Sequence, residues 1–248
     1  MKKLISLLLI PVLILGFAGC NSKTKKVDDA FKKISTAETS IIKYSEDIIG
    51  AWDLGINKEN SIKGYTLVDK GYSYKTYDDK YEYKYKDGIK NFAENFSFSE
   101  SEICEGIAHA FYGDKYETKV SSFDPDSVAE AYEGLFKSYG NAFSACVAII
   151  NSTYKITGKT ASIEMLLEGA REILIKMSKN DSDSPYYEDL KQYFVNTMAF
   201  YDFCNEPTGT YDVAKVKISN FKTNGTTYYY NLYCFFGSKK DNEDVTNK

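Results

Sequence analysis

The chain has 248 residues, 43% of them hydrophobic, and a formal net charge of −4. That is enough apolar material to build a core for one sizeable domain or two small ones, which excludes wholesale disorder. A mildly acidic chain with no clustered positive field excludes nucleic acid as an expected partner. A lone arginine, Arg171, nearly excludes bidentate recognition of carboxylate or phosphate.

Basic charge is therefore carried almost wholly by lysine, a skew that points to an AT-rich bacterial genome. At the amino terminus, Met1-Lys2-Lys3 is a short basic region and Leu4 through Gly16 is apolar apart from Ser6 and Pro11. Phe17-Ala18-Gly19-Cys20 follows. This is the three-part plan of a secretory signal, too short for a spanning helix of about 20 apolar residues. Small residues at 18 and 19 before a cysteine resemble the lipobox of bacterial lipoproteins, with Phe17 where leucine is usual. The resemblance implies a diacylglyceryl (palmitate-type) anchor on the Cys20 thiol and signal peptidase II cleavage before it. The mature chain would then partner the membrane at its extracytoplasmic face. Two acyl chains suffice for stable attachment at about 0.8 kcal/mol per buried CH₂. Loss of Lys2 and Lys3 with residues 1–19 takes the formal charge from −4 to −6. Asn21 is not the aspartate that retains lipoproteins in an inner membrane, so with the lysine skew a Gram-positive cell membrane is expected. Residues 20–26 read as a lipidated polar tether.

Apolar residues then recur at Val27, Ala30, Phe31, Ile34, Ala37, Ile41, Tyr44, Ile48 and Trp52. Steps of three and four put them on one face of a helix reaching about Leu54, with Gly55 and Asn57 as its stop. Residues 57–98 lose that period. Tyr65, Tyr72, Tyr74, Tyr77, Tyr81, Tyr83 and Tyr85 alternate in part with charges around Asp78-Asp79. We read this as an irregular Tyr/Lys-rich insert, with a small β-hairpin as the alternative. An isolated two-stranded ribbon is marginal in water, which favours the loop.

Ser99-Glu-Ser-Glu102 is a capping box and predicts a short helix through Phe111, ended by Gly113. Asp124-Pro125-Asp126-Ser127 predicts a second start. Its stripe of Val128, Tyr132, Leu135, Tyr139, Ala142, Cys146, Ile149 and Thr153 predicts one helix to Gly158. Ile163, Leu166, Leu167, Ala170, Leu174 and Met177 mark the next. Lys179 to Asp183 is a turn, and Ser184-Pro185 opens a helix carrying Tyr187, Leu190, Phe194, Thr197, Tyr201 and Cys204. After the short link 205–209, a last helix carries Tyr211, Ala214, Ile218, Phe221, Gly225, Tyr228, Leu232 and Phe235. It keeps its phase across Gly225 and ends at Gly237, leaving 238–248 as a disordered tail. Short links make neighbouring helices antiparallel. The expected fold is all-α: an antiparallel bundle of four to five long helices over 27–237, with the insert at 57–98.

The body, through Tyr186-Tyr187, Lys191, Tyr201-Asp-Phe-Cys204 and Pro207-Thr-Gly209, resembles uncharacterised helical lipoproteins of Gram-positive bacteria. The resemblance covers about the last third of the chain and implies a fold and a location, not an activity.

For chemistry, Cys104, Cys146, Cys204 and Cys234 remain after Cys20. An even number in an exported chain raises a disulfide reading, but three sit on apolar stripes or beside aromatics, where a thiol acts as a small hydrophobe. Cys204 and Cys234 would be tens of ångströms apart at about 1.5 Å per residue, beyond the roughly 7 Å limit for bridged Cα atoms. No CxxC spacing and a single histidine, His109, give no expected metal or cofactor. A Cys104/His109 nucleophile pair lacks a third orienting group. The acid pairs Glu46-Asp47, Glu100/Glu102/Glu105 and Glu188-Asp189 are the material for a carboxylate-pair glycan or cell-wall hydrolase. Their position on polar helix faces favours plain solvation. Asp181-Ser-Asp183 lacks the twelve-residue calcium loop. The tyrosine surplus is the remaining signal. Tyr72, Tyr74, Tyr81, Tyr83 and Tyr85 escape the helix stripes and suit a contact surface for protein or cell-envelope polymer. The functional expectation is a non-catalytic, lipid-anchored surface binding protein, with the hydrolase as alternative.

Overall fold

A computed structural model of the protein describes residues 2–57, 89–90, 92–116, 125–181, 184 and 186–243. Over these residues the fold is all-α, with helices packed on one another and no strand. The helices are α1 (Lys2–Asn57), α2 (Glu100–Tyr112), α3 (Pro125–Tyr139), α4 (Ala142–Ile156), α5 (Lys159–Asn180), α6 (Tyr187–Asn205) and α7 (Tyr211–Glu243), with a 3₁₀ turn at Gly113–Lys115. Among the described residues no helix is long and apolar enough to cross a membrane.

Every residue of the predicted first stripe, from Val27 to Trp52, is buried. The α1 helix also runs through the stretch read as a tether, and Lys26 is already tied to Asp181 at 3.6 Å. Ser99 caps α2 as the sequence requires. The Glu102 N–H donates to Ser99 Oγ at 3.2 Å, and the Ser99 N–H donates to Glu102 Oε2 at 2.7 Å. That backbone donor holds the Glu102 carboxyl below its usual range.

Three boundaries differ from the sequence reading. Of the insert, 58–88 and 91 lie outside the described residues, so the choice between loop and hairpin falls outside them too. Residues 89–90 and 92–96 are helical, with Ile89, Phe92, Phe96 and Phe98 buried. Ile89, Phe92 and Phe96 do share a helical face, a period concealed by the neighbouring run of tyrosine and lysine. The single helix predicted over 125–158 is two. Gly140 takes φ of +66°, open to a residue without a Cβ, and Asn141 caps α4 by accepting the Ser144 N–H at 2.9 Å. The apolar stripe keeps its phase across this break, so periodicity alone does not reveal it; Tyr139, beside the break, is 45% exposed. Finally α7 continues past Gly237 to Glu243. A lone glycine costs a helix only about 1 kcal/mol and need not end it.

The chain forms two compact units. One comprises Met1–Ile41, Ile163–Asp202 and Ile218–Lys248. Within it α5 runs antiparallel to α1: Gly169 lies against Lys33, and Asp181 pairs with Lys26. The α7 helix is antiparallel to α1 as well, with Gly225 against Glu38 and Tyr229 against Phe31. Its core joins Val27, Phe31, Ile34, Leu174, Tyr193 and Leu232. The second unit comprises Ile42–Ser162 and Phe203–Lys217, where α2 packs on both α3 and α4.

Candidate functional site

Among the described residues of the second unit, the C-terminal part of α1 lines two clefts. Apolar rings dominate the first. Trp52 stacks on Phe143 at 5.7 Å and meets the Tyr211 ring edge-on at 6.3 Å. Tyr139, Val147, Asn151 and Pro207 complete a space of about 210 Å³. The second, of about 320 Å³, is polar and lined by Lys43, Glu46, Asp47, Asp53, Asn95 and Phe96 among others. Small-molecule sites generally occupy about 300–1,000 Å³ and enclose most of the ligand. The ring-lined cleft falls below that range and the polar one at its lower edge.

The polar groups behind these clefts are engaged with one another. Asp47, buried, accepts the Tyr154 hydroxyl on Oδ2 at 2.6 Å and the Lys43 ammonium on Oδ1 at 2.8 Å. Burial, reinforced by Asp47, holds the Tyr154 hydroxyl far above the usual tyrosine range, so it stays a donor at any physiological pH. Tyr44 stacks on Tyr154 at 4.1 Å and donates to Asn151 Oδ1 at 2.9 Å, while Asn151 Nδ2 donates to the Asn205 carbonyl at 2.9 Å. Lys159 lies 3.8 Å from the centre of the Phe98 ring. Burial lowers its pKa against the upward pull of Glu102 and Asp47.

Of the three acid groups singled out from sequence, Glu46-Asp47 lines a cleft. Glu102 is committed to its cap, and Glu188 to Lys191 and Gln192 on an exposed turn of α6. Asp47 holds a structural partner on each of its oxygens. His109 Nε2 faces Asp114 at 3.4 Å and its ring packs edge-on to Tyr116. No disulfide joins Cys104, Cys146, Cys204 and Cys234. Among the described residues no three His, Cys, Asp or Glu side chains converge as metal ligands. Cys20 lies on α1 with its side chain outside the described residues, and Tyr72, Tyr74, Tyr81, Tyr83 and Tyr85 lie outside them altogether.

Sequence reasoning missed a set of internal tyrosine hydroxyls that reach acceptors across helices. Besides Tyr154 and Tyr44, Tyr193 donates to Glu38 at 2.5 Å and Tyr201 to Glu164 at 2.7 Å. A signal was present in the sequence. Glu38 falls four residues after Ile34 and three before Ile41, on the apolar face of α1, where a charged residue calls for a partner. No protein-family model, curated protein sequence or solved structure matches the chain.

Proposed function

We propose that this protein is a lipid-anchored, extracytoplasmic lipoprotein of a bacterial cell membrane that works by binding rather than by catalysis. The observation that carries the reading is the Phe17-Ala18-Gly19-Cys20 segment behind a basic and then apolar leader. An all-α body supports it, because its buried acids and tyrosine hydroxyls serve one another as structural partners. The Tyr-rich stretch containing Tyr72, Tyr74, Tyr81, Tyr83 and Tyr85 is the proposed contact surface for a protein or a cell-envelope polymer. Replacing Cys20 by alanine should abolish the mass of a diacylglyceryl group at the amino terminus and release the chain from membrane pellets. Replacing the five tyrosines by serine should leave the anchor intact and weaken capture of purified envelope polymer and surface proteins. An unmodified Cys20 in the wild-type chain would sink the anchor; undiminished capture would sink the tyrosine surface.

One observation favours a second reading, a glycan hydrolase: Glu46 and Asp53 line the same polar cleft, near the lower size limit for a ligand. On that reading Glu46→Gln and Asp53→Asn should each lower turnover of cell-wall glycan by at least about a hundredfold, the scale of a lost general acid or base. Equal turnover by wild type and both variants, or none by any, would discard it.

A further inference from the structure

The ring-lined cleft of the second unit is too small for a ligand of ordinary size, and its chemistry narrows what fits. Three aromatic side chains, Trp52, Tyr139 and Phe143, line a space of about 210 Å³ together with Val147 and Pro207. Tyr139 is the last residue of α3, just before the left-handed Gly140, and is 45% exposed. Trp52 and Phe143 are held by their stack at 5.7 Å and by the close approach of Gly55 to the start of α4. The polar side chains of the lining offer few open hydrogen bonds. Asn151 accepts the Tyr44 hydroxyl on Oδ1 and donates from Nδ2 to the Asn205 carbonyl, and the Ser144 hydroxyl is the other polar group. A ligand group carrying several N–H donors would give up water here without finding acceptors in exchange.

The surroundings of the cleft are negative. Tyr211, whose ring meets Trp52 edge-on at 6.3 Å, donates its hydroxyl to Asp53 at 3.3 Å. Asp212 follows Tyr211 in the chain, and the exposed Glu206 precedes Pro207 of the lining. Partial burial first, then Asp53 and Asp212, hold the Tyr211 hydroxyl above its usual range, and the two acids give the sign of the field at this edge. Lys215 offsets part of that charge. Its ammonium lies 5.1 Å from the centre of the Tyr211 ring, so the chain already sets one cation of its own against these aromatics. Ring faces carry the negative part of the aromatic quadrupole and attract a desolvated cation, tryptophan most strongly. A primary ammonium is strongly hydrated and has three protons to satisfy. A quaternary ammonium has none, and aromatic walls are its usual recognition surface. Rings, negative surroundings, few open acceptors and a small volume together select the quaternary group.

We infer that the ring-lined cleft is a binding site for a quaternary ammonium group of the size of the choline head, with Trp52, Tyr139 and Phe143 as its aromatic walls and Asp53 and Glu206 as its counter-charges. This goes beyond the reading above and needs neither the lipid on Cys20 nor the Tyr-rich stretch. Trp52 is the chain's one tryptophan, so its emission reports on the site. Choline chloride titrated into the full chain should change that emission saturably. It should bind about tenfold more tightly than 3,3-dimethylbutan-1-ol, its neutral isostere, with sodium chloride correcting for ionic strength. Tyr139→Leu keeps an apolar wall and removes a ring, so it should weaken choline several-fold and leave the alcohol unchanged. Glu206→Gln, a change on an exposed side chain, should do the same to a smaller degree. Phosphocholine in solution and phosphatidylcholine vesicles, compared at equal headgroup concentration, then separate a soluble from a lipid-borne source. A response to either that depends on Tyr139 upholds the site. Equal binding of choline and the alcohol would overturn it, since the cleft would then be merely apolar. No saturable response to choline would overturn it too, as would a response that both variants, folded by circular dichroism, leave unchanged.

Discussion

Gly55→Ala is expected to destabilise the protein by about 2 kcal/mol, more than a surface substitution and with no charge or hydrogen bond changed. A Cβ at position 55 would run into Phe143 Cα and lie 2.6 Å from the Phe143 nitrogen and 2.9 Å from the Ala142 carbonyl carbon. All three are backbone atoms in the first turn of α4, which cannot rotate aside as a side chain can. Overpacking of this kind costs about 1–3 kcal/mol, and the backbone contact places it high in that range. Alanine recovers about 1 kcal/mol of helix propensity over glycine. Gly50 provides the control. Its added Cβ would approach one atom under 3.0 Å, the Cε1 of the Phe96 ring at 2.9 Å, and a ring edge gives way. Gly50→Ala should therefore be close to neutral. Urea unfolding midpoints of the two variants decide the matter: equal midpoints would mean that α1 and α4 do not cross at Gly55 in solution. The Trp52–Phe143 stack forms a wall of the apolar cleft next to this crossing, so Gly55→Ala should also alter Trp52 fluorescence, the chain's one tryptophan.

That crossing shows which parts of the fold were legible. Periodicity identified the buried face of α1 residue by residue, because a stripe at steps of three and four has one way to hide from water. The capping box at Ser99 placed the start of α2 for an equally local reason. Breaks and close approaches are not local. Gly140 leaves the phase of the stripe intact while its backbone turns left-handed, and Gly225 reads as a weak point of α7 until Glu38 is seen beside it. An added Cβ at Gly225 would fall within van der Waals contact of the Glu38 carboxyl oxygens, so glycine there makes room for a buried acid on another helix. The tyrosine surplus was legible as core and surface in bulk. Which hydroxyls face which acids was not, since each pair joins residues far apart in sequence. Which acids stand at a cleft was not legible either, for a physical reason: a carboxylate on a polar helix face is solvated, capped or paired unless a neighbouring element packs beside it. Burial did come to Asp47, and it came with Tyr154 and Lys43 already in place.

Tyr193→Phe should cost about 1–3 kcal/mol at neutral pH, the penalty of leaving a buried polar group without its partner, and the loss should deepen as pH rises. Glu38 is 7% exposed and the Tyr193 hydroxyl donates to its Oε2, whereas Oε1 is buried with no hydrogen-bond partner. Burial raises the Glu38 pKa above the usual carboxylate value, and the Tyr193 bond pulls it part of the way back. The sign follows from linkage. A carboxyl whose pKa is higher folded than unfolded binds its proton more tightly in the folded state. Its contribution to stability is therefore complete below the unfolded value of about 4.3 and is lost as pH rises from there through the folded pKa. Removing the Tyr193 hydroxyl takes away the group that favours the ionised form, so the folded pKa moves higher and the loss extends to higher pH. Glu38→Gln should remove this component and flatten stability between about pH 4 and 8 relative to wild type, leaving the other acids to set the remaining slope. Adding Tyr193→Phe to Glu38→Gln should then cost less than it does in the wild-type chain at neutral pH, because no charge is stranded. Unfolding midpoints for the four chains across that range form the test. A Tyr193→Phe penalty independent of pH and undiminished by Glu38→Gln would show that the hydroxyl and the carboxyl do not meet inside the bundle.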